Sequence, residues 1–140
     1  MNERERELVD RVEGLMKTIG AKWKPAIVFC LVFGGRQRFS DLRRKLPDIT
    51  QRMLTRRLRE LERDGLVKRT LYPEVPLRVE YEMTALGRSL HPFFKSLCQW
   101  GIRNEVAVKR AHAAFAKAGK GQLISITDNR AHVRSSGRSR

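Results

Sequence analysis

The stretch from Ser40 to Asp64, SDLRRKLPDITQRMLTRRLRELERD, constrains this chain more than any other. Leu42 and Leu46 recur at helical spacing behind Ser40, a residue type that starts helices, and Pro47 cannot continue one. Two or three residues later a second amphipathic run begins, with Leu54, Leu58 and Leu61 in one stripe. A gap that short predicts a helix, a tight turn and a second helix over residues 40–64.

The second helix is unusual in where it puts charge. At about 100° per residue with Leu54 at zero, Leu58 falls near 40° and Leu61 near −20°. Arg52, Arg56, Arg59 and Arg63 share an arc of about 60° on the opposite side. Arg57 falls at the edge of the apolar stripe and points toward the domain. Glu60, Glu62 and Asp64 flank the arginine row in the last turns, while the first turn holds Gln51 and Arg52. That order opposes the helix dipole, at a cost of about 0.3–1 kcal/mol per misplaced charge. A helix whose N-terminal half enters a DNA major groove has reason to be built this way. Arginine pairs bidentately with guanine, glutamine with adenine, and a threonine methyl touches thymine. Gln51, Arg52, Thr55 and Arg56 are therefore the candidate base readers. Arg59 and Arg63, farther along the helix, suit phosphate better. The plainer reading, surface pairs Arg56–Glu60 and Arg59–Glu62 worth about 0.3–0.5 kcal/mol each, leaves Arg52 unexplained. Weaker backbone candidates, each as readily plain surface, are Arg38 and Ser40 at the preceding helix, Lys22 and Lys24 at the helix before that, and Arg78.

The rest of the chain frames this pair. Leu8, Val12, Leu15 and Ile19 mark an amphipathic helix ended by Gly20. Trp23 to Phe33 is apolar on nearly all sides and reads as a central buried helix, with Pro25 in its first turn and Gly34-Gly35 closing it. After Asp64-Gly65 the period changes. LVKRTLY reads as a strand, PEVPL as a loop, and RVEYEMT alternates with Val79, Tyr81 and Met83 on one face. These predict a two-stranded antiparallel hairpin. Thr84 caps a further helical region that is interrupted at Pro92. The expected fold class is mainly α with a small β-hairpin, a winged helix-turn-helix over residues 1–118. Residues 119–140 lose periodicity, gain Gly, Ser and Arg, and read as a flexible basic tail in which LISIT is the one stretch able to pair as a strand.

Charge narrows the partner. Thirty Lys and Arg against fifteen Asp and Glu give a net charge of +15, which points to a polyanion, nucleic acid before membrane. The N-terminal segment MNERERELVD has no apolar run of a signal, and no stretch approaches the roughly 18 residues of a membrane span, so a cytoplasmic location is expected. His91, His112 and His132 pair by spacing with neither cysteine nor any carboxylate, and no phosphate-binding, dinucleotide or metal motif is present. An enzyme is not expected, nor any cofactor or metal. Cys30 and Cys98 lie in apolar surroundings and read first as small buried hydrophobes. A nucleoid or RNA-binding protein without sequence preference is the alternative that +15 also suits. The common single-strand readers need exposed aromatic platforms, and only 7% of residues here are aromatic, mostly at core or interface positions.

The run from residue 15 to 101 resembles the HxlR family of bacterial winged-helix transcription regulators. The resemblance rests on KW at 22–23, RF at 38–39, QRMLTRRLRELERDGLV at 51–67, YPEVPLRVEY at 72–81 and TALG at 84–87. It implies a homodimer paired through its first and last helices, about residues 5–19 and 92–118, binding a palindromic operator and acting on nearby genes. Repression by promoter occlusion is the simplest outcome. It also implies that Gln51–Asp64 is the reading helix and Pro73–Leu77 the wing. Redox- and aldehyde-sensing members carry a cysteine just before or within the first helix, and residues 1–19 here hold none. Cys98, on the expected dimer helix, is the remaining candidate thiol sensor, and a small-molecule effector stays open. Leu77 stands where the wing often has a second proline.

Overall fold

The structure is a computed structural model that describes the backbone of residues 1–135 and the side chains of residues 1–120. Its elements follow in the order α1 (Glu3–Ile19), α2 (Lys24–Gly34), β1 (Gln37–Arg38), α3 (Phe39–Lys45), α4 (Gln51–Arg63), β2 (Val67–Tyr72), β3 (Arg78–Met83), α5 (Ala85–Arg88) and α6 (His91–Ser135). Residues 1–95 form one compact unit, and residues from Ser96 onward form a second, helical one.

The core of the first unit is what the apolar periods predict. Leu42 of α3, Leu54, Leu58 and Leu61 of α4, and Ile27, Val28 and Leu31 of α2 are almost fully enclosed, with Tyr81 and Met83 beneath them from β3. Burying a leucine is worth about 1.5–3 kcal/mol, so the α4 stripe is the main anchor of that helix. Its start is capped by Thr50, whose hydroxyl accepts from the Met53 N–H at 3.1 Å. Its end is closed by Gly65 at φ 76°, which lets the Leu66 N–H donate to the Leu61 carbonyl and the Gly65 N–H to the Glu62 carbonyl. The chain thereby turns straight from the arginine helix into the sheet.

Several sequence expectations change. The hairpin is joined by a third strand: β1 pairs antiparallel with β3, Gln37 opposite Tyr81, giving the order β1-β3-β2. Two residues are too few to show a period, so β1 had no pattern to read. The α2 helix buries one side only, leaving Phe29 and Phe33 exposed. Ser40 is not the cap of α3; Arg38 holds that position, and the Asp41 carboxylate accepts from the Arg38 N–H at 3.2 Å. The last helix does not stop at 118 but runs to Ser135, so LISIT lies in a helix rather than a strand. Gly119 and Gly121 cost roughly 1 kcal/mol each against alanine, which weakens a helix without ending it. Residues 136–140 lie outside the described residues.

Candidate nucleic-acid interface

The α4 helix presents its two faces as the wheel places them. Leu54, Leu58 and Leu61 are buried, while Gln51, Arg52, Thr55, Arg56, Arg59 and Arg63 are all exposed. The first turn holds no acid. Arg52 and Arg59 make no ion pair among the described residues. Gln51 is held at the first helical position, its side-chain oxygen accepting from the Arg43 guanidinium at 3.2 Å. Arg56 meets Glu60 at 3.3 Å and Arg63 meets Asp64 at 3.2 Å, whereas the expected Arg59–Glu62 pair does not form.

An open cleft of about 700 Å³ lies between α4 and the wing. Gln51, Thr55 and Arg59 line it from the helix, Arg38 and Ser40 from the start of α3, and Arg69 from β2. Arg69 was missed in the sequence. It stands opposite Tyr81 across the β2–β3 ladder and therefore shares the inward face of the sheet. Val67 and Leu71 are its neighbours in that alternation, and an arginine at the apolar phase of a strand was the available signal.

Three backbone candidates have partners within the domain. Lys24 is only 2% exposed, and its ammonium meets Glu60 at 3.1 Å and Asp64 at 3.7 Å and donates to the Thr18 carbonyl at 3.1 Å. It is a structural ion pair rather than a phosphate contact. Arg78 stacks over the Tyr72 ring at 4.0 Å and pairs with Glu74 at 3.3 Å, so much of its charge is spent inside the wing. Lys22 is exposed, with its ammonium 5.6 Å from the Trp23 ring centre.

Glu60 is the electrostatic centre of this region. Burial alone pushes its carboxyl up, but hydrogen bonds from Arg57 and Lys24 overcome that and hold it down at about 2. Arg57, at the edge of the apolar stripe, donates through Nε to the Lys22 carbonyl at 3.0 Å and through NH1 to Glu60 at 2.9 Å. It faces the domain, as the wheel predicts. Both cysteines are half-buried rather than enclosed, Cys30 on α2 and Cys98 on α6, and burial raises the Cys30 thiol above its ordinary range. No helix among the described residues is long and apolar enough to cross a membrane.

An amphipathic helix with free arginines, a short preceding helix and a following wing make a winged helix-turn-helix. A profile described as HxlR-like helix-turn-helix matches residues 18–108. The chain belongs to the HxlR family. It is 52% identical over 95 residues to an uncharacterized HTH-type transcriptional regulator of Methanothermobacter thermautotrophicus, covering 68% of this chain and 72% of that protein. The reduced form of the redox regulator HypR superposes with a TM-score of 0.67 at 43% identity, over 71% of this chain and 97% of that one. A crystal structure of the HTH-type regulator YtcD gives 0.63 at 46% identity, over 66% and 94%. This HxlR protein is a DNA-binding transcriptional regulator, and its family is one of regulators rather than enzymes.

Proposed function

We propose that the protein is a sequence-specific repressor that acts in the cytoplasm as a homodimer on a palindromic operator. Two subunits would set their α4 helices about 34 Å apart, one turn of DNA, in successive major grooves. Gln51, Arg52, Thr55 and Arg56 read bases. Arg59, with Arg38 and Ser40 across the cleft, holds phosphate, and Arg63 and Lys22 add backbone charge. The observation that carries this reading is the exposed arginine row of α4, set opposite a fully buried leucine stripe in a helix with no acid in its first turn.

Pairing is supported by apolar side chains that one chain leaves in water. Leu8, Val12, Leu15 and Met16 of α1 are each more than half exposed. On α6, Leu97 and Trp100 are likewise open. Large apolar side chains left exposed along a helix favour a protein partner. A relative of this fold is a redox regulator, and in this chain a thiol-reactive effector would act at Cys98, which lies on the helix expected to pair the subunits. Such an effector works by changing the spacing of the two reading helices.

The test is Arg56→Ala on a site selected from random duplex DNA with the full chain. Affinity should fall by about 1–3 kcal/mol, with preference relaxed at one base pair per half-site. Unchanged affinity would remove Arg56 from the interface. Sedimentation of the wild type and of Val12→Glu checks the pairing: the wild type should run as a dimer and the variant as a monomer.

A further inference from the structure

We infer that Glu60 is a positioning residue for base reading: it fixes the Arg56 guanidinium by its Nε, so that the terminal NH1 and NH2 edge faces the groove. The inference rests on the reading of Arg56 as a base contact. An ordinary Arg–Glu pair four residues apart on a helix is mobile at both ends and worth little. Here one end is not mobile. Glu60 keeps only 19% of its side chain exposed and is held from two other sides. Lys24, almost fully buried, meets its Oε2 at 3.1 Å, and Arg57 donates to both of its oxygens, at 2.9 and 3.1 Å.

Those two cations are anchored in turn to the last turn of α1 and the segment that follows it. Lys24 donates to the Thr18 carbonyl and Arg57 to the Lys22 carbonyl. The carboxylate is thus fixed in the frame of the domain, and Arg56, 70% exposed, is the member of the cluster most open to solvent. Its Nε lies 3.3 Å from Glu60 Oε1.

The chemistry follows from the guanidinium fork. Guanine offers O6 and N7 as a pair of acceptors, and an arginine meets them with two N–H groups in its own plane. With Nε occupied, the end-on pair NH1 and NH2 remains. A side chain already held in one plane loses less rotamer freedom when it binds, and it is aimed at one base pair rather than swept across neighbouring phosphates. Glu60 should therefore contribute to discrimination more than to total affinity. A carboxylate beside the arginine row slightly repels DNA, so a purely electrostatic role predicts tighter binding when it is removed.

The experiment measures the ratio of affinities for the selected site and for the same site with its Arg56-dependent base pair replaced, together with affinity for random duplex. Lys24→Met/Glu60→Ala removes the carboxylate without stranding a buried ammonium, and thermal melts establish that it folds. The ratio should fall by about three- to tenfold, while random-duplex affinity moves by less than about twofold. Adding Arg56→Ala to that variant should lower the ratio no further than Arg56→Ala does alone, because the two act as one unit. Lys24→Met/Glu60→Gln, whose amide oxygen still accepts from Nε, should restore most of the ratio. If the ratio stays at the wild-type value while Arg56→Ala alone collapses it, the positioning role is wrong and the base-reading role stands. If both affinities fall together, Glu60 is only structural. If Arg56→Ala alone leaves the ratio intact, both readings fall.

Discussion

Replacing Lys24 distinguishes a buried anchor from a DNA contact, because the two roles predict opposite results. Its ammonium is 2% exposed and shared between Glu60 and Asp64. Breaking a buried ion pair costs about 3–5 kcal/mol when a charge is left alone. Most of the acids' charge stays matched here: Glu60 keeps Arg56 and Arg57, and Asp64 keeps Arg63 at Oδ1, though the buried Asp64 Oδ2 loses the cation beside it. For Lys24→Ala we therefore expect about 1.5–3 kcal/mol, including the space vacated by the aliphatic stem. Lys24→Met, which fills that space, should cost about 1 kcal/mol or less. Urea unfolding followed by circular dichroism at one fixed protein concentration reads this as a midpoint lowered by about 1 M for alanine, given slopes of about 1–3 kcal/mol per M. The second readout is the salt dependence of DNA binding, which loses about 0.9 in slope per phosphate contact removed. It should not change in either variant. A stability change under about 0.5 kcal/mol together with a flattened salt slope would refute the burial argument and return Lys24 to the DNA surface.

Other substitutions probe different links. Gly65→Ala must hold alanine at φ 76° and should cost about 1–2 kcal/mol in the same unfolding assay. Gly87→Ala would place its Cβ 2.3 Å from the Leu66 carbonyl oxygen, and a loss above about 2 kcal/mol is expected because backbone must move. Glu60 is held at about 2 against an ordinary 4.5, so its stabilisation is complete above 4.5 and disappears as pH falls through 2; Glu60→Gln should flatten that part of the acid unfolding curve. Ending the chain at Ala118 removes Lys120, Arg130, Arg134, Arg138 and Arg140, and should weaken random-duplex binding and its salt dependence while leaving operator preference intact.

What the sequence made legible was what local spacing carries. The leucine stripe, the arginine row and the inward turn of Arg57 all follow from about 100° per residue, and the wing follows from strict alternation. The misreadings share a cause in long-range contact. Lys24 lies at a helix start, where a cation reads as exposed, yet Glu60 and Asp64 come from 36 and 40 residues along the chain to enclose it. Arg78 does line the cleft, with the Tyr72 ring of the neighbouring strand stacked against it. Gln37 and Arg38 became a strand only because β3 offered an edge. Arg69 was hidden because its face of the strand is set by pairing with Tyr81, which LVKRTLY alone does not show. The last helix crosses two glycines that composition alone had taken as its end.

The central claim is that α4 reads sequence rather than charge. The most direct measurement is the ratio of dissociation constants for the selected site and a scrambled duplex of equal length, at a fixed salt near 0.15 M. Sequence reading by paired helices predicts a ratio of about 10³ or more, reduced at least fivefold or so by Arg56→Ala. A ratio near one, with a binding energy that follows salt alone, would mark a basic protein that coats nucleic acid, and would contradict the account.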